Sequence, residues 1–314
     1  MGTIAAITLP IFAIVALGWG TVRSGLFSGA DMRIIGRFVI NIALPALLFN
    51  ALASRNPAEI VNPLYLALYA GASVATLLVA LVWFRRVQGL PLPEAGICVM
   101  GTSCANSGYF AFPILALAVP ETAPAVLAMG VMVENLVMIP LCLILIAAGS
   151  ERPGGKAALV LHIARDLLRR PLTIAMAAGL VWASLALPVP EVLDRVTGML
   201  STASVPLALF VIGGSLAGVT PRGDLARASQ IATAKLILHP AMALAGLGLV
   251  AALGLTGLDP ALRISLLVTT AVPMIGVYPI FAQEQGLERL ASLALLLATA
   301  ASFLTLSGVL ALLL

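Results

Sequence analysis

Charged residues are scarce in this sequence. Of its 314 residues, 61% are hydrophobic and 10% are charged, whereas soluble domains carry roughly 25% charged residues. The mean hydropathy is +1.12, and a soluble fold of this size has too little interior to hide so much apolar surface. The composition therefore predicts a polytopic membrane protein and excludes a soluble globular one.

The residues that enzymes and metal proteins use are also few. The three cysteines, Cys98, Cys104 and Cys142, lie in apolar stretches without a Cys-x-x-Cys pair, a pattern typical of free thiols that serve as small packing residues. The two histidines, His162 and His239, are far apart in sequence. There is no nucleophile motif, phosphate-binding loop or metal-ligand spacing. We predict no enzyme activity, no metal site and no disulfide, and no cofactor beyond a coupling proton or Na⁺.

Long apolar stretches make up most of the chain, and about 20 such residues suffice to cross a bilayer as a helix. They lack the strict alternation of a membrane β-strand, so ten helical spans are predicted. The first has no basic segment before it and no small-residue cleavage site after it, which favours a retained helix over a signal peptide. The predicted spans cover residues 3–22, 34–54, 63–84, 95–119, 123–148, 171–187, 192–219, 228–255, 260–283 and 287–314.

The basic residues predict an orientation for these spans. If the N-terminus is outside, all but three of the 17 Lys and Arg residues lie in cytoplasmic loops or at cytoplasmic helix ends, as the positive-inside rule requires. The three outer ones are Arg55, Arg195 and Arg263. Both termini are therefore predicted to be non-cytoplasmic. The net charge of +4 is spread over short loops, so nucleic acid is not a predicted partner.

Short motifs recur between the two halves of the chain. Pro45-Ala-Leu-Leu-Phe49 of span 2 matches Pro206-Leu-Ala-Leu-Phe210 of span 7, and Pro113-Ile-Leu115 of span 4 matches Pro279-Ile-Phe281 of span 9. Two matches in the same order at nearly the same offset indicate an inverted repeat, since halves of five helices have opposite topologies. The predicted parts are a first repeat over 1–148, a cytoplasmic linker over 149–170 and a second repeat over 171–314.

Spans 4 and 9 contain residues that interrupt a membrane helix: Gly108 and Pro113 in the first, and Pro273, Gly276 and Pro279 in the second. A proline has no N–H, so the carbonyl four residues earlier loses its helical partner, which is costly in lipid. A single proline is more often a packing kink than a site. Interrupted helices at matching positions of two halves, however, favour a transport site, and we predict that these breaks cross.

Four sequence elements resemble the auxin efflux carrier family, which includes the plant PIN transporters and bacterial carriers described as malonate or malate carriers. They are Asn41-Ile-Ala-Leu-Pro45-Ala-Leu-Leu-Phe49, Asn106-Ser-Gly-Tyr-Phe-Ala-Phe-Pro113, Val205-Pro-Leu-Ala-Leu-Phe210 and Pro273 with Tyr278-Pro279. The resemblance spans the whole chain. The short central linker fits a compact bacterial member, in contrast to many plant members.

This resemblance implies an all-α fold of ten helices in two inverted five-helix repeats, with broken helices 4 and 9 crossing as in bile-acid symporters and sodium/proton antiporters. Helices 1, 2, 6 and 7 would form a scaffold bundle and a candidate homodimer interface, and helices 3–5 and 8–10 a transport bundle. The implied location is the bacterial inner membrane. The implied function is transport of small organic anions such as carboxylates by alternating access.

Six residues are candidates for substrate binding. Asn106 ranks first because its amide can donate to a carboxylate or cap a broken helix end, and because it resembles the crossing asparagine of the family. Tyr109 and Tyr278 flank the breaks and can either bind a ligand or anchor packing. Span 9 has no asparagine near its break, unlike plant members, which predicts a lopsided site. The remaining candidates are polar residues near the breaks or in mid-span: Asn41, Ser107 and Asn135.

Three ionisable residues are candidates for coupling. Glu134 lies near the middle of span 5, where an ionisable residue is expected to be functional. It can bind a proton, hold Na⁺ with Asn135, or join helices as a neutral acid. Lys235 and His239 share one face of span 8; Lys235 can snorkel to the interface or attract anions, and His239 can be a core residue. Besides the anion carrier, the sequence leaves open a symporter or antiporter whose main cargo is the cation, and a membrane sensor without flux.

Overall fold

The computed structural model describes residues 2–53, 61–148, 165, 168–185, 187–217, 224–283 and 285–313. Almost all of the predicted linker over 149–170, including His162, lies outside these ranges. Four of the basic residues that underlie the predicted orientation also lie outside them: Arg55, Arg152, Lys156 and Arg222.

The described ranges form helices joined by short connections. Six helices, α2, α3, α6, α8, α9 and α12, are long and apolar enough to cross a membrane, and shorter apolar helices accompany them. The predicted all-helical, polytopic membrane protein is thereby confirmed. The twelve helices within these ranges are α1 (Gly2–Arg23), α2 (Gly29–Ala53), α3 (Pro63–Val87), α4 (Leu92–Ser103), α5 (Ser107–Ala118), α6 (Ala123–Ala147), α7 (Pro171–Ser184), α8 (Glu191–Ala217), α9 (Leu225–Ala252), α10 (Pro260–Ala271), α11 (Tyr278–Gln283) and α12 (Glu288–Leu313).

Local sequence accounts for several helix starts. Ser28 and Asp31 form a capping box at the start of α2, in which the Ser28 hydroxyl oxygen accepts from the Asp31 N–H and the Asp31 carboxylate accepts from the Ser28 N–H. Asp224 and Asp259 cap α9 and α10 by accepting backbone N–H bonds. Such caps satisfy donors that the first turn of a helix leaves open.

Wide, π-helical turns interrupt the helices of the described ranges at five places. They cover Val39–Ala43, Trp83–Val87, Ser107–Ala111, Glu134–Met138 and Ala234–Leu238. Four of them are followed, after one further residue, by a proline: Pro45, Pro113, Pro140 and Pro240. A proline leaves the carbonyl four residues before it without a partner, and a π-helical turn rearranges the bonds there. Glu134 and Lys235 both lie in such turns.

Two compact units emerge from the packing of the helices. Neither is a continuous half of the chain. Unit 1 comprises Met1–Asn62, Gly108–Val131 and Asp166–Gly218, and unit 2 comprises Pro63–Ser107, Met132–Arg165 and Val219–Leu314. The proposed division into a scaffold bundle and a transport bundle stays a prediction.

Each unit packs in its own way. In unit 1, α1 lies against α8 at such close range that a Cβ on Gly18 would collide with the Phe210 carbonyl, and one on Gly213 with the Val15 carbonyl. In unit 2, α9 packs against α3 and α12, and α4 against α6. Buried charged side chains lie between the helices of unit 2.

Candidate functional site

Two helices of unit 2 end where they meet. Beyond α4 the backbone is extended at Cys104 (φ −93°, ψ 124°), and beyond α10 it is extended at Val272 (φ −75°, ψ 161°). Ala105 pairs antiparallel with Met274, and the Asn106 N–H donates to the Pro273 carbonyl at 3.0 Å. Both stretches are buried. The carboxyl-terminal ends of α4 and α10, which carry partial negative charge, therefore lie inside unit 2.

Glu134 binds the backbone of the first break, which is the non-helical stretch Cys104 to Asn106 between α4 and α5. It begins the π-helical turn of α6 and is 5% exposed. Its Oε1 accepts hydrogen bonds from the Ala105 N–H at 2.9 Å and from the Tyr69 hydroxyl at 2.5 Å. Its Oε2 is buried and has no hydrogen-bond partner among the described residues. One oxygen of this carboxyl group on α6 therefore bonds to both α3 and the extended stretch after α4. The other oxygen can still accept a hydrogen bond.

Lys235, in the π-helical turn of α9, binds the backbone at the second break, which is the non-helical stretch Val272 to Val277 between α10 and α11. It is fully buried, and its Nζ donates at 2.7 Å to the carbonyl of Thr270, one of the last residues of α10. Nζ also lies 3.0 Å from His239 Nδ1, and His239 Nε2 lies 2.9 Å from the Ser73 hydroxyl. The snorkelling interpretation of Lys235 is therefore wrong, because its ammonium group is inside unit 2.

When Lys235 is protonated, its contact with His239 determines the tautomer of the imidazole. An ammonium group can only donate, so Nδ1 then accepts from Lys235 and the imidazole hydrogen is on Nε2, where it donates to Ser73. In that state the imidazole of His239 is neutral and Lys235 carries the positive charge of the pair.

The aromatic residues of α3 connect the two breaks. The Tyr69 ring, whose hydroxyl binds Glu134, is stacked on the His239 ring with centroids 6.2 Å apart and an interplanar angle of 19°. Tyr65 lies one turn earlier and donates to Thr269 Oγ1 at 3.4 Å. Glu134 and Lys235 also interact electrostatically. The two breaks therefore share one buried polar network.

Several predicted substrate residues lie at or beside the place where these two breaks pair, which is called the crossing below. Asn106 and Ser107 are buried at the first break, and Asn135 is buried next to Glu134. Tyr278 begins α11 and is fully buried. Its ring is so close to Gly101 that a Cβ on Gly101 would lie 2.7 Å from Tyr278 Cζ. Within the described ranges, the Tyr278 hydroxyl has no hydrogen-bond partner. A Cβ on Gly276 would lie 3.7 Å from Asn106 Nδ2.

Two other predicted residues lie in unit 1. Tyr109 donates its hydroxyl to the Gly36 carbonyl at 3.0 Å, and its ring packs with Val39 and Ala208. Asn41 is exposed and donates to the Arg37 carbonyl one turn earlier in its own helix, at 2.8 Å. These contacts agree with the packing interpretation of Tyr109 and give Asn41 a local backbone partner.

The first break also lies earlier in the chain than Gly108 and Pro113 suggest. The extended residues are Cys104 to Asn106, whereas Gly108 and Pro113 are within α5. The π-helical turn Ser107–Ala111 accommodates Pro113, so the helix does not unwind there. In the second break, Pro273 and Gly276 lie in the non-helical stretch, and Pro279 lies in the first turn of α11.

The residues that complete the network are not among the candidates predicted from the sequence; they are Tyr65, Tyr69, Ser73 and Thr270. A signal for the first three was present. They lie four residues apart in an otherwise apolar span, and that spacing puts them on one face of α3.

The amino-acid sequence matches the model of a family described as "Membrane transport protein" over residues 3–310. The chain belongs to this family, the auxin efflux carriers. The "Putative malonate transporter" of Rhizobium meliloti (strain 1021) is 30% identical over 315 residues, which cover 99% of this chain and 96% of the relative. The "Uncharacterized transporter YfdV" of Escherichia coli (strain K12) is 24% identical over 67% of each chain. An "Uncharacterized transporter" of Methanothermobacter thermautotrophicus is 25% identical over 75% of each.

Family and relatives thus confirm the resemblance found in the sequence. This auxin efflux carrier family member is a membrane transport protein, and its relatives are transporters rather than enzymes.

Proposed function

We propose that this protein is a secondary transporter that exports or exchanges small organic anions, such as carboxylates, by alternating access across the bacterial inner membrane. The observation that carries the proposal is the buried crossing of α4 and α10, with Glu134 on one break and Lys235 on the other. Ionisable residues inside a membrane protein are costly and mark transport pathways. A pair of interrupted helices is the arrangement in which transporters bind substrate.

The proposed membrane topology has ten spans. α4 and α5 together form the fourth span, and α10 and α11 together form the ninth. The spans make two inverted repeats, over 1–148 and 171–314, and both termini are non-cytoplasmic. The recurring proline motifs and the corresponding places of the two breaks support this arrangement. A homodimer would form through the scaffold bundle.

At the crossing, the substrate carboxylate would be bound by donors and not by a metal. Lys235 supplies the positive charge, and Asn106 supplies an amide at the first break. Tyr278, with its buried open hydroxyl, is the candidate contact on the second break.

Ligand screening of the purified protein tests this function. Monocarboxylates, dicarboxylates, indole acids and bile acids would be added in thermal-shift experiments, with and without Na⁺ and at two pH values. The name of the Rhizobium meliloti relative makes malonate the first dicarboxylate to test. We expect at least one carboxylate to raise Tm and to enter proteoliposomes. We expect Asn106→Ala to weaken that shift, while Gln88→Ala, at an exposed amide, leaves it intact.

A second candidate function is a proton- or sodium-coupled transporter whose principal cargo is the cation. It is favoured by the buried Oε2 of Glu134, which accepts no hydrogen bond from the part of the chain that the structure describes. The same screen separates the two functions. If Na⁺ or pH alters Tm and no carboxylate does, the cation is the cargo and the first proposal is wrong.

A further inference from the structure

The buried charges at the crossing leave one hydrogen-bond donor and one acceptor unused. The Lys235 ammonium has three N–H donors, and the Thr270 carbonyl and His239 Nδ1 take two of them. Glu134 Oε1 accepts from Ala105 and Tyr69, and Oε2 has no hydrogen-bond partner in the described part of the chain. A ligand that satisfies both must bring an acceptor for Lys235 and a donor for Glu134.

The two residues do not satisfy each other. Glu134 and Lys235 interact electrostatically, but among the described residues no salt bridge joins them. Each is held in place by its own break, Glu134 by the Ala105 N–H and Lys235 by the Thr270 carbonyl. Each charged group is therefore bonded to the backbone of a different break.

We propose that the substrate of this site is a singly charged acid with a second, proton-donating group: a hydrogen dicarboxylate whose ionised carboxylate binds Lys235 and whose protonated carboxyl donates to Glu134 Oε2. The inference rests on the proposed function and specifies the ionisation state of its substrate. A hydrogen bond from a carboxyl group to a carboxylate is of the strong, charge-assisted kind. A fully ionised dicarboxylate would instead place two buried carboxylates face to face, where only one of them can stay ionised.

The surrounding titratable groups do not change this balance of donor and acceptor. The ring nitrogens of His239 are both engaged, one by Lys235 and one by Ser73. The hydroxyl of Tyr69 already donates to Glu134. The remaining titratable groups on the helices packed around the pair are Tyr65, Arg85 and Arg86 on α3, Glu94, Cys98 and Cys104 on or just after α4, Cys142 on α6, Arg227 on α9, Arg263 on α10, Tyr278 on α11, and Glu288 and Arg289 on α12.

Calorimetric titration of the purified protein with malonate and with its monoamide, malonamate, tests the inference. Above its own ionisation, malonamate carries one carboxylate and one amide donor, whereas malonate loses its donor at its second ionisation. The inference requires both ligands to bind the protein with Glu134 ionised, and in that case the ratio of their affinities cancels the titration of the protein. We expect malonate affinity relative to malonamate to fall about tenfold per pH unit above that ionisation, because only the competent fraction binds.

Two results of this titration would contradict the proposals. If malonate keeps its affinity at high pH while malonamate does not bind, the substrate is the dianion and this inference is wrong, although anion transport stands. If malonamate and malonate both fail and no other carboxylate binds, the proposed function itself fails. The comparison uses the unaltered protein, so it does not depend on a variant that folds.

Glu134→Gln then tests the residue assignment. A glutamine side chain can donate to a second carboxylate, so we expect this variant to lose the pH dependence of the malonate-to-malonamate ratio and to bind the dianion. Glu191→Gln, at an exposed carboxylate of α8, serves as the matched control and keeps the wild-type ratio. A folded Glu134→Gln variant with the wild-type pH dependence would remove Glu134 from the site.

Discussion

The two units of this transporter bury very different side chains. In the described part of unit 1, the buried polar residues are Thr173, Thr197 and Ser204, and close backbone contacts between α1 and α8 hold the helices together. Unit 2 buries Glu134, Lys235 and His239 in one network. Close contact through small residues is the usual way to join helices in lipid, and it performs no chemistry. Changes in unit 1 should therefore affect stability alone, and changes in unit 2 should affect stability and transport together.

The largest effect is expected when the buried charge of unit 2 is removed. Lys235→Met leaves Glu134 without a compensating charge, a change that typically costs about 3–5 kcal/mol. We expect a much lower Tm in detergent and no uptake in proteoliposomes. In the double variant Lys235→Met/Glu134→Gln the charges balance again, so Tm should recover while uptake stays lost. Recovery of uptake in the double variant would mean that the pair is structural.

The next largest effect is expected in unit 1. In Gly18→Ala the new methyl group meets the Phe210 carbonyl, which cannot move aside as a flexible side chain would. Overpacking of this kind costs about 1–3 kcal/mol. Gly20→Ala, two residues later in α1 and facing open space, is the control and should keep Tm. Uptake per folded molecule should be unchanged in both, and a specific transport defect in Gly18→Ala would contradict the contrast between the units.

A matched pair of tyrosines compares the units directly. Tyr69→Phe removes a hydrogen bond to a carboxyl group, for which about 1.5–3 kcal/mol is typical when the acceptor is charged. Tyr109→Phe removes one to a backbone carbonyl, about 0.5–1.5 kcal/mol. We expect a larger loss of Tm, and an altered pH profile of uptake, for Tyr69→Phe alone. Equal pH profiles in the two variants would show that the Tyr69–Glu134 bond has no part in transport.

The smallest effect is expected at the exposed ion pair of α8. Arg195 and Glu191 form a salt bridge one helical turn apart, with both side chains about three-quarters exposed. Exposed pairs contribute roughly 0–1 kcal/mol, so Arg195→Met should change Tm little and leave uptake intact. A loss of uptake comparable to that of Lys235→Met would mean that charge matters outside unit 2 as well.

The candidate site was predictable where its signals are local in sequence. An ionisable residue in an apolar span identifies Glu134, and a spacing of four residues groups Lys235 with His239. Two prolines six residues apart with a glycine between them predict the interruption after α10. The partners were not predictable, because Tyr69 is 65 residues from Glu134 and Ser73 is 166 residues from His239. Contacts over such distances depend on helix packing.

Pro113 alone does not determine how the helix around it is rearranged. Its missing N–H requires some rearrangement of the helix, but an unwound segment and a π-helical turn both meet that requirement. The chain uses a π-helical turn at Ser107–Ala111 and becomes extended only at Cys104 to Asn106. The extended stretch is stabilised by the Pro273 carbonyl and the Glu134 carboxyl group, neither of which is near it in sequence.

By itself, the sequence determined that this protein is a membrane transporter of the auxin efflux carrier family, and it identified the two spans that cannot be continuous helices. Composition and proline chemistry suffice for those conclusions, because they do not depend on which helices are neighbours. Only the tertiary structure decided that Glu134 and Lys235 hold opposite breaks and that each keeps a hydrogen-bonding group unused. Whether a buried polar atom has a hydrogen-bond partner depends on the groups that pack beside it. Those neighbours are determined by the folding of the chain.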